Sequence, residues 1–125
     1  MKLQGELYKT VSSSCVEEGR GRAVVELIPE SSIYRAHFPG MPVTPGVCLV
    51  QMCLDVISEA LGRSVTLSSA KDIRFLVPVI PGREVELTVD YTLSGDFPDM
   101  DAAVTICCGE NCHAKMKLTL AACGN

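Results

Sequence analysis

Apolar and polar residues alternate through REVELTVDYTL at 83–93. Val85, Leu87 and Val89 fall on one side, and Glu84, Glu86 and Thr88 on the other, the pattern of a half-buried strand. Further strands are predicted at 65–78, 101–109 and 112–122. Two more, at 3–11 and 22–28 (RAVVELI), flank the polar stretch SSSCVEEGRG and predict an N-terminal hairpin. Turns are marked by PG at 81–82, SGDFPD at 94–99 and GEN at 109–111.

The period changes after a loop predicted over 29–41. Thr44 can cap a helix there, Pro45 suits the first helical position, where its missing N–H costs nothing, and Gly62 is placed to end it. Its polar residues are Gln51, Asp55, Ser58 and Glu59, which share one narrow stripe. Nearly everything else from Val47 to Leu61 is apolar, so the helix is predicted to be buried on most sides and needs a sheet around it. The expected architecture is α+β in one domain over 1–125: a hairpin, one central helix, then an antiparallel meander.

Composition narrows the partners. The chain has 125 residues, 47% of them hydrophobic and 21% charged, the balance of a globular domain. A net charge of −4 without a dense Lys/Arg run argues against nucleic acid. No apolar stretch reaches the roughly 20 residues of a membrane span, and MKLQGELYKT lacks the apolar core of a secretion signal, so a cytoplasmic setting without membrane contact is expected. Seven cysteines is an odd count; in that setting they are expected to be reduced thiols, most of them small core residues.

Candidate chemistry gathers in HFPGMPVTPGVCLVQ at 37–51. His37 sits in a loop stiffened by Pro and Gly, and imidazole moves protons near neutral pH. Taken alone, a lone histidine in a loop is more often structural, buried or at the surface beside a turn, than catalytic. Gly46 falls in the first helical turn, where unpaired N–H groups and the helix dipole favour developing negative charge; its other reading is plain turn geometry. Asp55 needs a partner, water or a function if it is buried; otherwise the Gln51/Asp55 stripe faces solvent or a sheet edge. CCGENCH at 107–113 has CxxxCH spacing, which matches neither a zinc pair nor haem attachment, so Cys107, Cys108 and Cys112 read as hairpin positions with His113 at the edge.

These residues together resemble the 3-hydroxyacyl-acyl carrier protein dehydratases, whose signature runs close to HFPGxPVxPGV. IRFLVPVIPG at 73–82 is similar to their RFxxPVxPGD block, with Arg83 in place of the acid. The resemblance spans the whole chain. It implies a hot-dog fold, a homodimer or trimer of dimers with sites at the subunit interface, and no cofactor or metal. His37 would take the α-proton of a 3-hydroxyacyl thioester and Gly46 would offer its N–H to the thioester carbonyl. Phe38, Pro45, Val47, Phe75 and Val77 would shape the acyl tunnel. The expected activity is dehydration to the trans-2-enoyl thioester in fatty-acid, lipid or polyketide-like synthesis.

One position departs from the family. Where its members carry a Glu or Asp, supplied across the dimer, this chain has Gln51, which donates a hydrogen bond but is no acid. Asp55, one turn on, implies an exchange of acid and amide on one helix face. Two alternatives follow: a hot-dog thioesterase using Asp55, or a non-catalytic partner subunit completed by a second homologue. The acidic carrier protein implies a basic patch, with Arg35, Lys71, Arg74 and Arg83 as candidates.

Overall fold

The structure, a computed structural model, describes residues 3–17, 19–36, 43–81, 86–95 and 99–122. In chain order the elements are β1 (Tyr8–Glu17), β2 (Arg20–Leu27), α1 (Ser32–Ala36), α2 (Gly46–Leu61), β3 (Val65–Phe75), β4 (Glu86–Ser94), β5 (Met100–Cys108) and β6 (Asn111–Ala122). Period-two alternation fixes which face each strand buries. Ala23, Val25 and Leu27 of β2, Leu87, Val89 and Tyr91 of β4, and Val104 and Ile106 of β5 all point inward. With Ala114, Met116, Leu118 and Leu120 of β6 they join Leu49, Met52, Cys53, Val56 and Ile57 of α2 in one buried cluster.

All pairings are antiparallel, and the sheet runs β1-β2-β4-β5-β6-β3. The expected meander holds for β4-β5-β6, but β3 crosses to the far edge and pairs with β6, leaving β4 beside β2. Local periodicity states which face a strand buries and carries no information about its distant neighbour. Close approach also decides local packing: Gly21 lies opposite Tyr91, and a Cβ there would overlap the Tyr91 hydroxyl.

Several expected boundaries shift. The serines expected in the hairpin turn belong to edge strand β1, and Gly19, at φ 76°, lies in the turn instead. A polar run can serve as an edge strand because its backbone is paired on one side while the hydroxyls face water. The loop expected at 29–41 contains α1, missed because five residues show no helical period. Thr44 does not cap α2. Pro45 holds the N-cap position at φ −59° and ψ 143° without a side-chain cap, because the Thr44 hydroxyl is bonded to the Tyr34 hydroxyl (2.8 Å). Gly62 ends the helix as expected, at φ 67°, and its N–H meets the Glu59 carbonyl.

Of the described cysteines, all free, Cys48 and Cys53 are buried, whereas Cys107, Cys108 and Cys112 are half-exposed beside the β5–β6 turn. The expectation that most would be core residues is therefore met only on α2. No helix is long and apolar enough to cross a membrane.

Candidate active site

His37 and Phe38 lie outside the described residues, but the structure describes the chain on both sides of them. Before the loop, Tyr34 is buried and its hydroxyl meets Thr44 beyond the loop. After it, the Thr44 N–H donates to the Val79 carbonyl (2.8 Å), tying the entrance of α2 to the 76–80 segment. That segment is held in turn by His113. The β5–β6 register shifts after Ile106↔Ala114 to Cys107↔Cys112, leaving His113 as an extra residue in a bulge. Instead of lying at the hairpin edge, its ring is fully buried. Its Nδ1 is 3.0 Å from the Val77 carbonyl; a carbonyl only accepts, so Nδ1 donates. The His113 carbonyl accepts from the Leu76 N–H (2.8 Å).

At the start of α2 the Pro45 carbonyl accepts from Cys48 and Leu49. Among the described residues nothing accepts from the N–H groups of Gly46 or Val47, and the helix dipole adds to their pull on negative charge. The Phe75 ring covers Gly46 so closely that a Cβ at 46 would come within 2.6 Å of its Cζ. Val47, Phe75, Leu76 and Val77 are all exposed, Val47 by 72%. Phe75 and Val47 thus present large apolar side chains at a helix N-terminus whose donors have no acceptor among the described residues. Pro45 is half-buried beside them.

Gln51 and Asp55 are brought together: Gln51 Nε2 donates to Asp55 Oδ1 over 2.9 Å. A carboxylate only accepts, so the amide nitrogen must face it, leaving the Gln51 carbonyl and second N–H for other partners. Asp55 Oδ2 accepts the Leu3 backbone N–H over 2.8 Å, and the side chain is buried. The N-terminal segment, where Leu3 and Leu7 are buried, thus covers most of Asp55, while Glu59 at the far end of the stripe is exposed. Tyr8 is buried there too. Burial pushes its phenol above its ordinary range, and the nearby Asp55 and Glu59 carboxylates add to the effect. A cleft of about 260 Å³ touches Asp55 between Gln4 and Arg63.

Gly46 and Asp55 stand nine residues apart on the same helix, roughly 13 Å along its axis. One substrate carbon cannot touch both. Of the candidate basic patch, Lys71 pairs with Asp101 (3.2 Å) and Arg74 with Asp72 (3.1 Å). The Lys71 hydrogen bond, then that from Thr119, holds the Asp101 carboxyl below its usual range. The Arg35 side chain and Arg83 lie outside the described residues. Sequence reasoning missed Leu3, Tyr8, Tyr34 and His113 as supports. Only His113 stood in a segment already flagged for chemistry, and nothing local marks a backbone N–H such as that of Leu3.

Comparison with known proteins gives the family and the fold. The profile of the ApeI-like family, described as ApeI dehydratase, matches residues 13–108. The chain is 33% identical over 85 residues to a 3-hydroxyacyl-(acyl-carrier-protein) dehydratase FabZ from Bacillus velezensis; the match covers 62% of this chain and 60% of that relative. In fold it is similar to the dehydratase heterocomplex ApeI:P from Xenorhabdus doucetiae, with a TM-score of 0.74 at 18% identity over 91% of this chain and 97% of the other. It is also similar to a hypothetical thioesterase with coenzyme A from Streptococcus pneumoniae, with a TM-score of 0.64 at 14% identity over 94% and 87% of the two chains. The six-stranded antiparallel sheet with one long helix is the hot-dog fold.

Proposed function

The chain belongs to the ApeI-like dehydratase family, and from that premise we propose that it removes water from a 3-hydroxyacyl thioester carried by an acyl carrier protein, giving the trans-2-enoyl thioester. The observation that carries the reading is the N-terminus of α2, where the Gly46 and Val47 N–H groups have no acceptor among the described residues, the Phe75 ring lies against Gly46, and the chain on either side of His37 is tied to it. His37 takes the α-proton while the Gly46 N–H holds the charge that develops on the thioester oxygen. Phe38, Pro45, Val47, Phe75 and Val77 line the acyl chain's path.

Gln51 cannot supply a proton, and both Asp55 oxygens are engaged. Asp55 is therefore a positioning residue: it aims the Gln51 amide, whose remaining N–H holds the departing hydroxyl. The proton taken by His37 returns to that hydroxyl. The Cα–H and Cβ–O bonds break, the Cα=Cβ bond forms, and water leaves. A homodimer is part of the proposal, because edge strand β3 and the patch of Val47, Phe75, Leu76 and Val77 offer a second copy both backbone groups and apolar area. In it, Gln51 serves the partner's His37 loop.

A second reading is favoured by the lost acid together with the relative solved as a heterocomplex: a subunit that pairs with another hot-dog chain bearing the acid. The test is intact mass of a medium-chain 3-hydroxyacyl-acyl carrier protein after incubation with the pure protein, with His37→Ala alongside. Loss of one water, reduced by roughly 10²-fold or more in the variant, is the expected result. No change overturns the homodimer reading in favour of the heteromer, and loss of the acyl group would mean a thioesterase.

A further inference from the structure

A groove of about 690 Å³ lies away from α2, on the outer face of the sheet. Its origin can be traced through the pairing register. One row across the strands reads Arg22, Asp90, Thr105, Lys115 and Arg74, and the next reads Arg20, Thr92, Ala103, Lys117 and Asp72. Short side chains at Thr92, Ala103 and Thr105 form a floor on β4 and β5. Long cationic side chains stand on either side, from β2 and from β6 with β3. The result is a trough roughly 14 Å between walls, three strand spacings.

Its charge is opposite to that of the chain. Five of the eleven Lys and Arg line it with two of the fifteen Asp and Glu, a surplus of three positive charges on a protein of net −4. The two acids are already engaged, Asp90 by Arg22 (2.6 Å) and Asp72 by Arg74 (3.1 Å). Among the described residues neither Lys115 nor Lys117 is in an ion pair. Lys115 also stands directly opposite Arg74 across the β3–β6 pair, a juxtaposition that costs stability unless an anion offsets it.

We propose that this trough binds a small phosphate-bearing ligand carrying a diphosphate group, held by the two lysines, with the Thr92 and Thr105 hydroxyls donating from the floor and the arginines of the walls adding positive charge. Size decides against a macromolecule. The two rows cover on the order of 100–200 Å², against about 800 Å² per partner in a stable protein interface, whereas the volume lies within the usual span of small-molecule sites.

The test is calorimetric titration of the full chain at low ionic strength with ADP, inorganic pyrophosphate, adenosine and sulfate. Binding of ADP with at least tenfold preference over sulfate, and none of adenosine, is expected. Pyrophosphate binding within tenfold of ADP would mean the diphosphate alone is read, whereas much weaker binding would mean the nucleoside is read too. Lys115→Glu and Lys117→Glu should each weaken binding at least tenfold, although the first places an acid opposite Arg74 and should raise the melting temperature slightly, and the second places one opposite Asp72 and should lower it slightly. Lys9→Glu, outside the trough, should leave it unchanged. Equal binding of sulfate, insensitivity to both trough lysines, or no binding of either diphosphate overturns the proposal. No thioester is present, so this outcome is independent of the dehydration assay.

Discussion

The two ends of the polar side of α2 behave in opposite ways. At the Asp55 end every strong hydrogen-bonding atom of the carboxylate is used: Leu3 takes one oxygen, Gln51 the other, and the N-terminal segment covers most of the side chain. At the Gly46 end the donors have no acceptor among the described residues, and large apolar side chains are exposed. The first region holds the fold together. The second holds interactions in reserve, and under the proposed function that reserve is what a substrate or a second subunit would use.

Substitutions that touch each end separately can break this contrast. Asp55→Ala should destabilise by about 2–4 kcal/mol in a denaturant titration, because it removes a charged acceptor and leaves the buried Leu3 N–H unpaired. Asp55→Asn should cost less and mainly lower turnover through Gln51, since an amide can still accept one bond. If both variants were as stable as the parent, Asp55 would not be the structural end of the pair. At the other end, Val47→Ser and Phe75→Ser should each change monomer stability by no more than about 0.5 kcal/mol while lowering turnover and weakening self-association in sedimentation. A large fall in stability there would make the patch part of the core.

Gly46→Ala sharpens the comparison further. Its methyl needs the Phe75 ring to swing aside, which an exposed ring can do, so stability should barely move while turnover falls as the approach to the N–H closes. The smallest effect expected is from Tyr8→Phe. Its buried hydroxyl has no partner among the described residues, so removing it should leave stability unchanged or slightly improved.

Alkali should weaken the sealed region. Burial pushes the Cys53 thiol up to about 12, and burial with the Cys112 hydrogen bond pushes Cys107 up to about 11, both from an ordinary 9.0. Tyr8 is raised as well. The folded state thus keeps protons that the unfolded state releases. Stability is complete below about pH 9 and declines as pH rises toward the folded values. Melting temperatures followed from pH 8 to 11 should fall, and less so for a Cys53→Ala background; a flat profile would contradict this.

Much of this protein is legible in its sequence because much of it is local. Strand faces followed from alternation at Leu87 and Val89, and the end of α2 from Gly62, whose positive φ few other residues adopt at low cost. The HFPG and second PG motifs carried the family. The pairing of Gln51 with Asp55 followed from helical spacing. What only the tertiary structure decided was every relation between distant segments. The Leu3 N–H occupies Asp55, β3 lies beside β6, a bulge turns His113 inward onto Val77, and two rows of outer-face residues gather cations scattered from Arg20 to Lys117. Each depends on closing a long loop of chain, a cost met by burial summed over the whole domain, and no window of neighbouring residues contains that sum.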